Sequence, residues 1–466
     1  MPSSKPKARL AGLPWLRYAP DLHVELEQCR DEGKDVSGLA ERIAAIQSMP
    51  EDDPRREIEA ARLLDETIAL PVRADFPYME PSDLETIRHE RPDGPRRRPV
   101  SLSGDDLFDR VYGAWLGRCA GCLLGKPVEG WMRERLLGFN RAIGNYPIRS
   151  YMSSRHSEDI RRRFEIRDEP YWDGGPVPWI NNVECAPADD DTNYTLISLL
   201  LLERFGPTFT PDDVAVTWLG RLPLLQLCTA ERIAYRNFTG LIAPPASASH
   251  RNVYREWIGA QIRGDFFGYV SPGEMERAAG MAWRDACISH VKNGIYGEMW
   301  VAAMLAAAYT TGDMREIIRL GLGEIPVRSR LAAAINEALL WPEQGLTWEQ
   351  ALDRIHRRWD EANPHHWGHT IPNAVIVSVA LLYGEGDLGK SLGIAISGAF
   401  DTDCNGATVG SIVGLVRGAS ALPEQWTEPL RDHLRSGVRG FERVPISELA
   451  GRTVRLIERP SGSTQA

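Results

Sequence analysis

Five carboxylates in two short stretches are the residues of this chain best suited to chemistry. The first stretch, APADDDTNYTLISLLLLERF, sets Asp189, Asp190 and Asp191 directly against one of the most apolar runs in the sequence. The second, GAFDTDCNGA, alternates Asp401 and Asp403 just ahead of a glycine-rich apolar run. Each lies where a helix should begin, and an aspartate there caps free N–H groups and is favoured by the helix dipole. Capping uses one or two carboxylates; the rest are too crowded to stay ionised cheaply unless water or a cation neutralises them. Hard divalent ions, Mg²⁺, Mn²⁺ or Ca²⁺, suit oxygen ligands, and two of them about 4 Å apart can share bridging aspartates. Histidine- and cysteine-rich ligation is absent from both stretches, which disfavours zinc. Spacing alone leaves two readings open: over-capped helix starts in water, or one metal centre built from Asp189, Asp190, Asp191, Asp401 and Asp403.

The elements that must position these acids carry a pattern of their own. GAWLGRCAGCLLG places Gly113, Gly117, Gly121 and Gly125 four residues apart, and GATVGSIVGLVRG does the same with Gly406, Gly410, Gly414 and Gly418. A glycine inside a helix costs roughly 1 kcal/mol relative to alanine, so four per helix call for a compensating contact. Residues four apart share a face, and a bare stripe lets another helix or a ligand approach to backbone contact. Apolar periodicity predicts further helices, the set covering 106–125, 191–205, 212–230, 274–290, 294–311, 330–341, 371–383 and 406–419. Alternating β-branched runs are few, and the expected class is all-α.

Composition narrows the setting. The 466 residues are 43% hydrophobic and 25% charged, ordinary for a globular chain. The longest apolar run, WVAAMLAAAY at 300–309, reads as a buried helix and is too short to span a membrane. The N-terminus lacks the apolar core of a secretory signal, so a cytoplasmic protein is expected. Seven scattered cysteines read as reduced thiols, and the C-x-x-C of Cys119 and Cys122 has no second pair at zinc-finger spacing. A net charge of −10 and a pI near 5.6 argue against a nucleic-acid backbone as the main partner. Residues 1–103 stand apart as a charged, glycine-poor helical extension, closed by RPDGPRRRPV, which cannot continue a helix. A body spanning 104–458 follows, and 459–466 reads as a disordered tail. The extension could cover a cleft, mediate a dimer or dock a partner; nothing in its sequence decides among these, or fixes the oligomeric state.

Four segments in order, GAWLGRCAGCLLGKPVEGW, the Asp-Asp-Thr at 190–192, SHVKNGIYGEMWVAAMLAAAY and GAFDTDCNGATVGSIVGLVRGA, resemble the ADP-ribosylglycohydrolase family over about 106–430. The resemblance implies a compact helical fold with a dinuclear Mg²⁺ centre. It implies cleavage of an N- or O-glycosidic bond at the anomeric carbon of a ribose, in an ADP-ribosylated protein or small molecule. The family's Thr-Asp-Asp-Thr corresponds to Asp189, Asp190, Asp191 and Thr192, and its Asp-x-Asp-Thr/Ser to Asp401, Thr402, Asp403 and Cys404. Its glutamate after the first glycine helix corresponds to Glu129. Two positions depart: Asp189 replaces a hydroxyl and adds charge, and Cys404 replaces a hydroxyl with sulfur, a poor match for Mg²⁺.

By this resemblance Asp190 and Asp403 are expected to be catalytic as well as metal ligands, with Glu129 transferring a proton or holding the water. The loop 289–296 is expected to border ribose and diphosphate through His290, Asn293, Gly294 and Tyr296, with backbone at Asn293 and Gly294 offered to phosphate oxygens. His365, His366 and His369 read as loop and pocket residues in preference to a transition-metal site. Tyr235, Phe238 and Trp257 are either an aromatic platform for adenine or core. The alternatives to this activity are hydrolysis of another N-ribosyl metabolite and a non-catalytic binding role on the same fold.

Overall fold

The computed structural model describes residues 13–102, 104–171 and 175–459; most of the expected tail lies outside them. Among these residues the chain is a stack of helices with one antiparallel ribbon, His433–Arg435 on Arg443–Pro445, so the class is all-α. Helices run Gly104–Gly125, Asp190–Phe205, Met275–Ala286, Lys292–Ala308, Arg330–Leu340, Thr370–Gly384 and Thr402–Arg417, close to the periodic segments. The helix expected over 212–230 is instead two, Pro211–Arg221 and Thr229–Thr239, because Pro223 cannot supply the N–H that continuation needs. At the centre lies Lys292–Ala308, buried from Asn293 to Ala308, whose alanines let neighbours close in on every side. No helix of the described residues is long and apolar enough to cross a membrane.

The two glycine helices, Gly104–Gly125 and Thr402–Arg417, pack antiparallel with their stripes face to face. A Cβ added at Gly113 would lie 2.4 Å from the Gly414 carbonyl oxygen, at Gly117 2.0 Å from that of Gly410, and at Gly121 1.9 Å from that of Gly406. These are backbone contacts that no side chain admits. Because each step of four along one helix is a step of four back along the other, the end of the first meets the start of the second. A Cβ at Gly125 would strike the Thr402 carbonyl and the Asp403 nitrogen at 2.4 Å, and Thr402 Oγ1 donates to the Gly125 carbonyl at 2.9 Å. The ladder therefore sets Lys126–Glu129 beside Asp401–Asp403.

The N-terminal extension packs on the body. Its helices Leu22–Asp31, Leu39–Gln47 and Pro54–Ala69 bury an apolar cluster with Ala230, Ile233, Val253, Tyr254 and Trp257. A buried ion network crosses the same junction: Arg255 binds Glu25 at 2.6 Å and Glu32 at 3.0 Å, and Arg330 binds Glu80 at 2.9 Å and Glu256 at 2.7 Å. Gln28 donates to Glu256 at 2.7 Å. Segment 81–82 caps the central helix, since Ser82 Oγ accepts the Lys292 N–H at 3.1 Å and the Pro81 carbonyl accepts the Tyr296 hydroxyl.

Gly117→Ala should cost about 3 kcal/mol, because the added methyl meets backbone that cannot repack. Gly220→Ala, whose Cβ would meet nothing within 4 Å, should instead be neutral or stabilise by up to about 1 kcal/mol. Denaturant midpoints of the two variants check the contrast. Arg255→Met leaves Glu25 buried without a cation, while Glu32 keeps Lys34 at 2.8 Å and Lys292 at 3.4 Å, and should lower stability by about 3 kcal/mol, read in the same way.

Candidate functional site

The helix Asp190–Phe205 starts where Asp189, in extended conformation, turns its Oδ1 back to accept the Asp191 N–H at 2.9 Å. The helix Thr402–Arg417 starts after Ala399 and Phe400, consecutive non-glycine residues at φ +54° and +56°. Left-handed backbone costs roughly 1–2 kcal/mol per such residue, and the surroundings must hold it in place. Asn373 is one holder: its Oδ1 accepts the Asp401 N–H at 3.2 Å and the Asn405 amide at 2.8 Å. The 401–405 turn is thus held from outside its carboxylates, and the 189–191 turn by one of its own.

The two turns meet. Asp189 and Asp191 lie with the Cys122 thiol in one group whose ligand atoms are within 4.8 Å of each other, and Asp401, Asp403 and Cys404 form another. The groups act on each other electrostatically. Burial, then repulsion from Glu129, Asp189, Asp401 and Asp191, pushes the Asp403 carboxyl well above its ordinary range. Burial and Asp189, opposed by Arg118, do the same to Asp191, with Asp190 and Asp401 adding to the rise. Burial and Asp189 likewise push Asp190 well up, and Asp401 is raised by burial with Asp189 contributing. Asp189, Asp191, Asp401 and Asp403 are each at most 6% exposed, whereas Asp190 and Glu129 keep part of their surface open to solvent.

Two cations that sequence reasoning missed sit inside this cluster. Arg118, fully buried in the first glycine helix, donates Nε and Nη2 to the Asp191 carbonyl at 3.0 and 2.6 Å and pairs with Asp265 at 2.9 Å. Lys126 donates Nζ to Asp189 Oδ2 and lies 4.9 Å from the centre of the Tyr171 ring. Burial would raise the Asp189 carboxyl, but the Lys126 ammonium outweighs it and holds that group below its ordinary range. The signal for both was present. Arg118 interrupts an otherwise uncharged run from Val111 to Gly125, and a charge there needs a buried partner. Lys126 follows the last glycine of the ladder directly.

Glu129 lies at the same end, its Oε2 accepting the Tyr171 hydroxyl. Burial first, with Asp401 and Asp189 adding to it and Lys126 and Tyr171 opposing, pushes its carboxyl up to about 7. That is the range in which one group can both take and give a proton near neutrality.

The loop 289–296 is placed differently from the expectation. His290, Asn293 and Tyr296 are completely buried. The Asn293 side chain is spent on Glu256 at 2.7 Å and on the Leu331 N–H at 3.0 Å, and its own N–H points to Glu256 at 3.3 Å. Gly294 N–H bonds the Val291 carbonyl at 3.0 Å, and a Cβ there would press on the Arg255 carbonyl at 2.9 Å. The N–H groups of Asn293 and Gly294 expected for phosphate already point to Glu256 and Val291. His290 Nδ1 shares a hydrogen bond of 2.8 Å with Ser289, and burial and Arg263 keep the ring neutral.

His365 and His369 converge on Asp31 at 3.2 and 3.8 Å. Their Nδ1 atoms accept the Trp257 indole N–H at 3.3 Å and the Ile371 N–H at 3.1 Å, which leaves Nε2 of each ring on the side of the carboxylate. The ligand atoms of Asp31, His365 and His369 lie within 4.8 Å of one another, a group apart from the acidic turns. Trp257 and Phe238 are core, Phe238 lying 6.4 Å from Trp218 between ring centres.

The ADP-ribosylglycohydrolase family profile matches residues 103–462. The chain belongs to the ADP-ribosylglycohydrolase family. A solved structure described as "ADP-ribosylglycohydrolase-related protein complex" superposes with a TM-score of 0.50 at 19% identity, over 76% of this chain and 99% of that one, a likeness of fold. A search of curated proteins finds no match. ADP-ribosylglycohydrolases are hydrolases that depend on metal, and the acidic centre here can be tested for one. Asp191 Oδ2, Asp401 Oδ1 and Asp403 Oδ1 are buried without a hydrogen-bond partner. Orphaned carboxylate oxygens on both turns are the donor type that hard dications take, and a bound cation would supply the partner they lack.

Tyr171→Phe removes a donor that favours ionised Glu129, so the carboxyl should move further up from about 7. A side-chain carbon NMR titration reads the shift, and an unmoved titration counts against the contact.

Proposed function

We propose that this ADP-ribosylglycohydrolase-family protein is a Mg²⁺-dependent enzyme. It hydrolyses the glycosidic bond at the anomeric carbon of ADP-ribose, or of a related ribosyl group, on a protein side chain or small acceptor. The observation that carries the reading is the meeting of the 189–191 and 401–403 turns, with orphaned carboxylate oxygens, at the glycine-ladder end that bears Glu129. Asp190, Asp191, Asp401 and Asp403 are the metal ligands; Asp189 joins the centre through Lys126. A hard dication bound there supplies a fixed positive field for ribose hydroxyls and for the attacking water.

Glu129 takes a proton from water as it adds to the anomeric carbon, or gives one to the departing nitrogen or oxygen, while the C1 bond to the acceptor breaks. Tyr171 and Lys126 hold Glu129 in place for that exchange. Asp190, with open surface, meets the sugar first, and Asp403 anchors the opposite side. Asn293, Gly294 and Tyr296 have their polar atoms engaged internally, so in this reading that loop, His290 included, supports the fold and does not touch phosphate. Seven free cysteines support a reducing, cytoplasmic setting.

A second substrate reading, another N-ribosyl metabolite, draws on the Lys126–Asp189 pair and on Cys404, which make this centre unlike one with two hydroxyl ligands. A panel of ADP-ribosylated arginine, serine and nucleotide ends, with N-ribosyl nucleosides beside them, separates the two. Chelation should abolish turnover and Mg²⁺ should restore it. Asp403→Asn should lower kcat/KM about 100-fold or more, beyond the loss usual for an outer-shell change. Turnover that survives both treatments would refute the reading.

A further inference from the structure

We propose that the buried Lys126–Asp189 ion pair takes the place of one of two divalent ions, so that this chain binds a single ion among Asp190, Asp191, Asp401 and Asp403. The inference rests on the metal-dependent reading above. Each oxygen of Asp189 already accepts a hydrogen bond, Oδ1 from the Asp191 N–H at 2.9 Å and Oδ2 from the ammonium, which weakens its hold on a cation. Lys126 is 4% exposed, and its root is pinned. The preceding Gly125 is seated on the 402–403 backbone, and the Tyr171 hydroxyl reaches the Lys126 carbonyl at 3.3 Å.

From that position the ammonium acts electrostatically on Asp189, Asp403 and Glu129, carboxylates drawn from both turns and from the ladder's end. Bridging acids from separate turns is the task a shared second dication performs, and a buried ammonium performs it with charge already covalently supplied. A further dication beside it would meet like-charge repulsion where water screens little. The second position is weakened on its other flank as well: Cys404, within 4.8 Å of Asp401 and Asp403, offers sulfur to a hard cation. Asp191 and Asp401 and Asp403 each retain an orphaned oxygen, enough to hold one ion from both turns.

Mn²⁺ titration of the full chain, followed by calorimetry and by electron paramagnetic resonance, tests this. One Mn²⁺ per chain, with the spectrum of an isolated ion at saturation, is expected. Lys126→Met combined with Asp189→Thr should admit a second ion and give a spin-coupled spectrum, whereas Cys404→Thr alone should stay at one. Two coupled ions in the unaltered chain would overturn the proposal. So would a folded double variant, by circular dichroism, that still binds one, or a second ion gained by Cys404→Thr alone. If the double variant does not fold, the unaltered chain's stoichiometry decides. A chain that binds no Mn²⁺ refutes the metal-dependent function itself, a result distinct from binding two.

Discussion

Backbone-to-backbone contact between two glycine-striped helices is the constraint on which the rest of the structure depends. At Gly117 and Gly410 the chains are so close that a single methyl has nowhere to go. Such contact fixes not only the distance between the helices but also their register, since a slip by one residue would bring side chains onto carbonyl oxygens. The register in turn decides which residues meet at the end: Gly125 against Thr402, and hence Lys126 and Glu129 against Asp401 and Asp403. The glycines' cost in helix propensity is returned as precision in a site assembled from segments nearly 300 positions apart in sequence.

Around that end the chain solves an electrostatic problem with few charges of opposite sign. Carboxylates at 189, 190, 191, 401 and 403 are crowded and mostly out of contact with water, which burial alone makes expensive. Arg118 relieves Asp191 with its guanidinium 3.4 Å from Oδ1, and Lys126 relieves Asp189. Neither satisfies the remaining oxygens of Asp191, Asp401 and Asp403. The protein stabilises the frame of the cluster with its own cations and leaves the inner face for a ligand. Two left-handed residues, Ala399 and Phe400, show that strain is accepted to present Asp401 and Asp403 in this way.

Much of this was legible in the sequence, unevenly. The glycine period and the acids at helix starts gave both the antiparallel ladder's members and its cargo, because periodicity of four and capping chemistry are local signals. Long apolar helices such as Thr370–Gly384 were likewise visible. What sequence could not supply was partnership across the chain. Asn293 looked like a phosphate donor from its place at a helix start, yet Glu256 and Leu331, distant in sequence, had already claimed its polar atoms. Nothing in the sequence tied Lys126 to a partner, and the ladder's register put it on Asp189. Shorter elements such as Met314–Leu322 and Leu388–Ser397 escaped the periodic scan because each spans fewer than three turns.

The junction between the extension and the body carries a further consequence. The family profile begins at 103, but Arg255 finds its counter-charges at Glu25 and Glu32, and Arg330 finds one of its own at Glu80. A polypeptide trimmed to the homologous region would strand a guanidinium in the interior and uncover the apolar face around Trp257. The evolutionary module and the thermodynamic unit therefore have different edges, and recombinant work on this protein should respect the second.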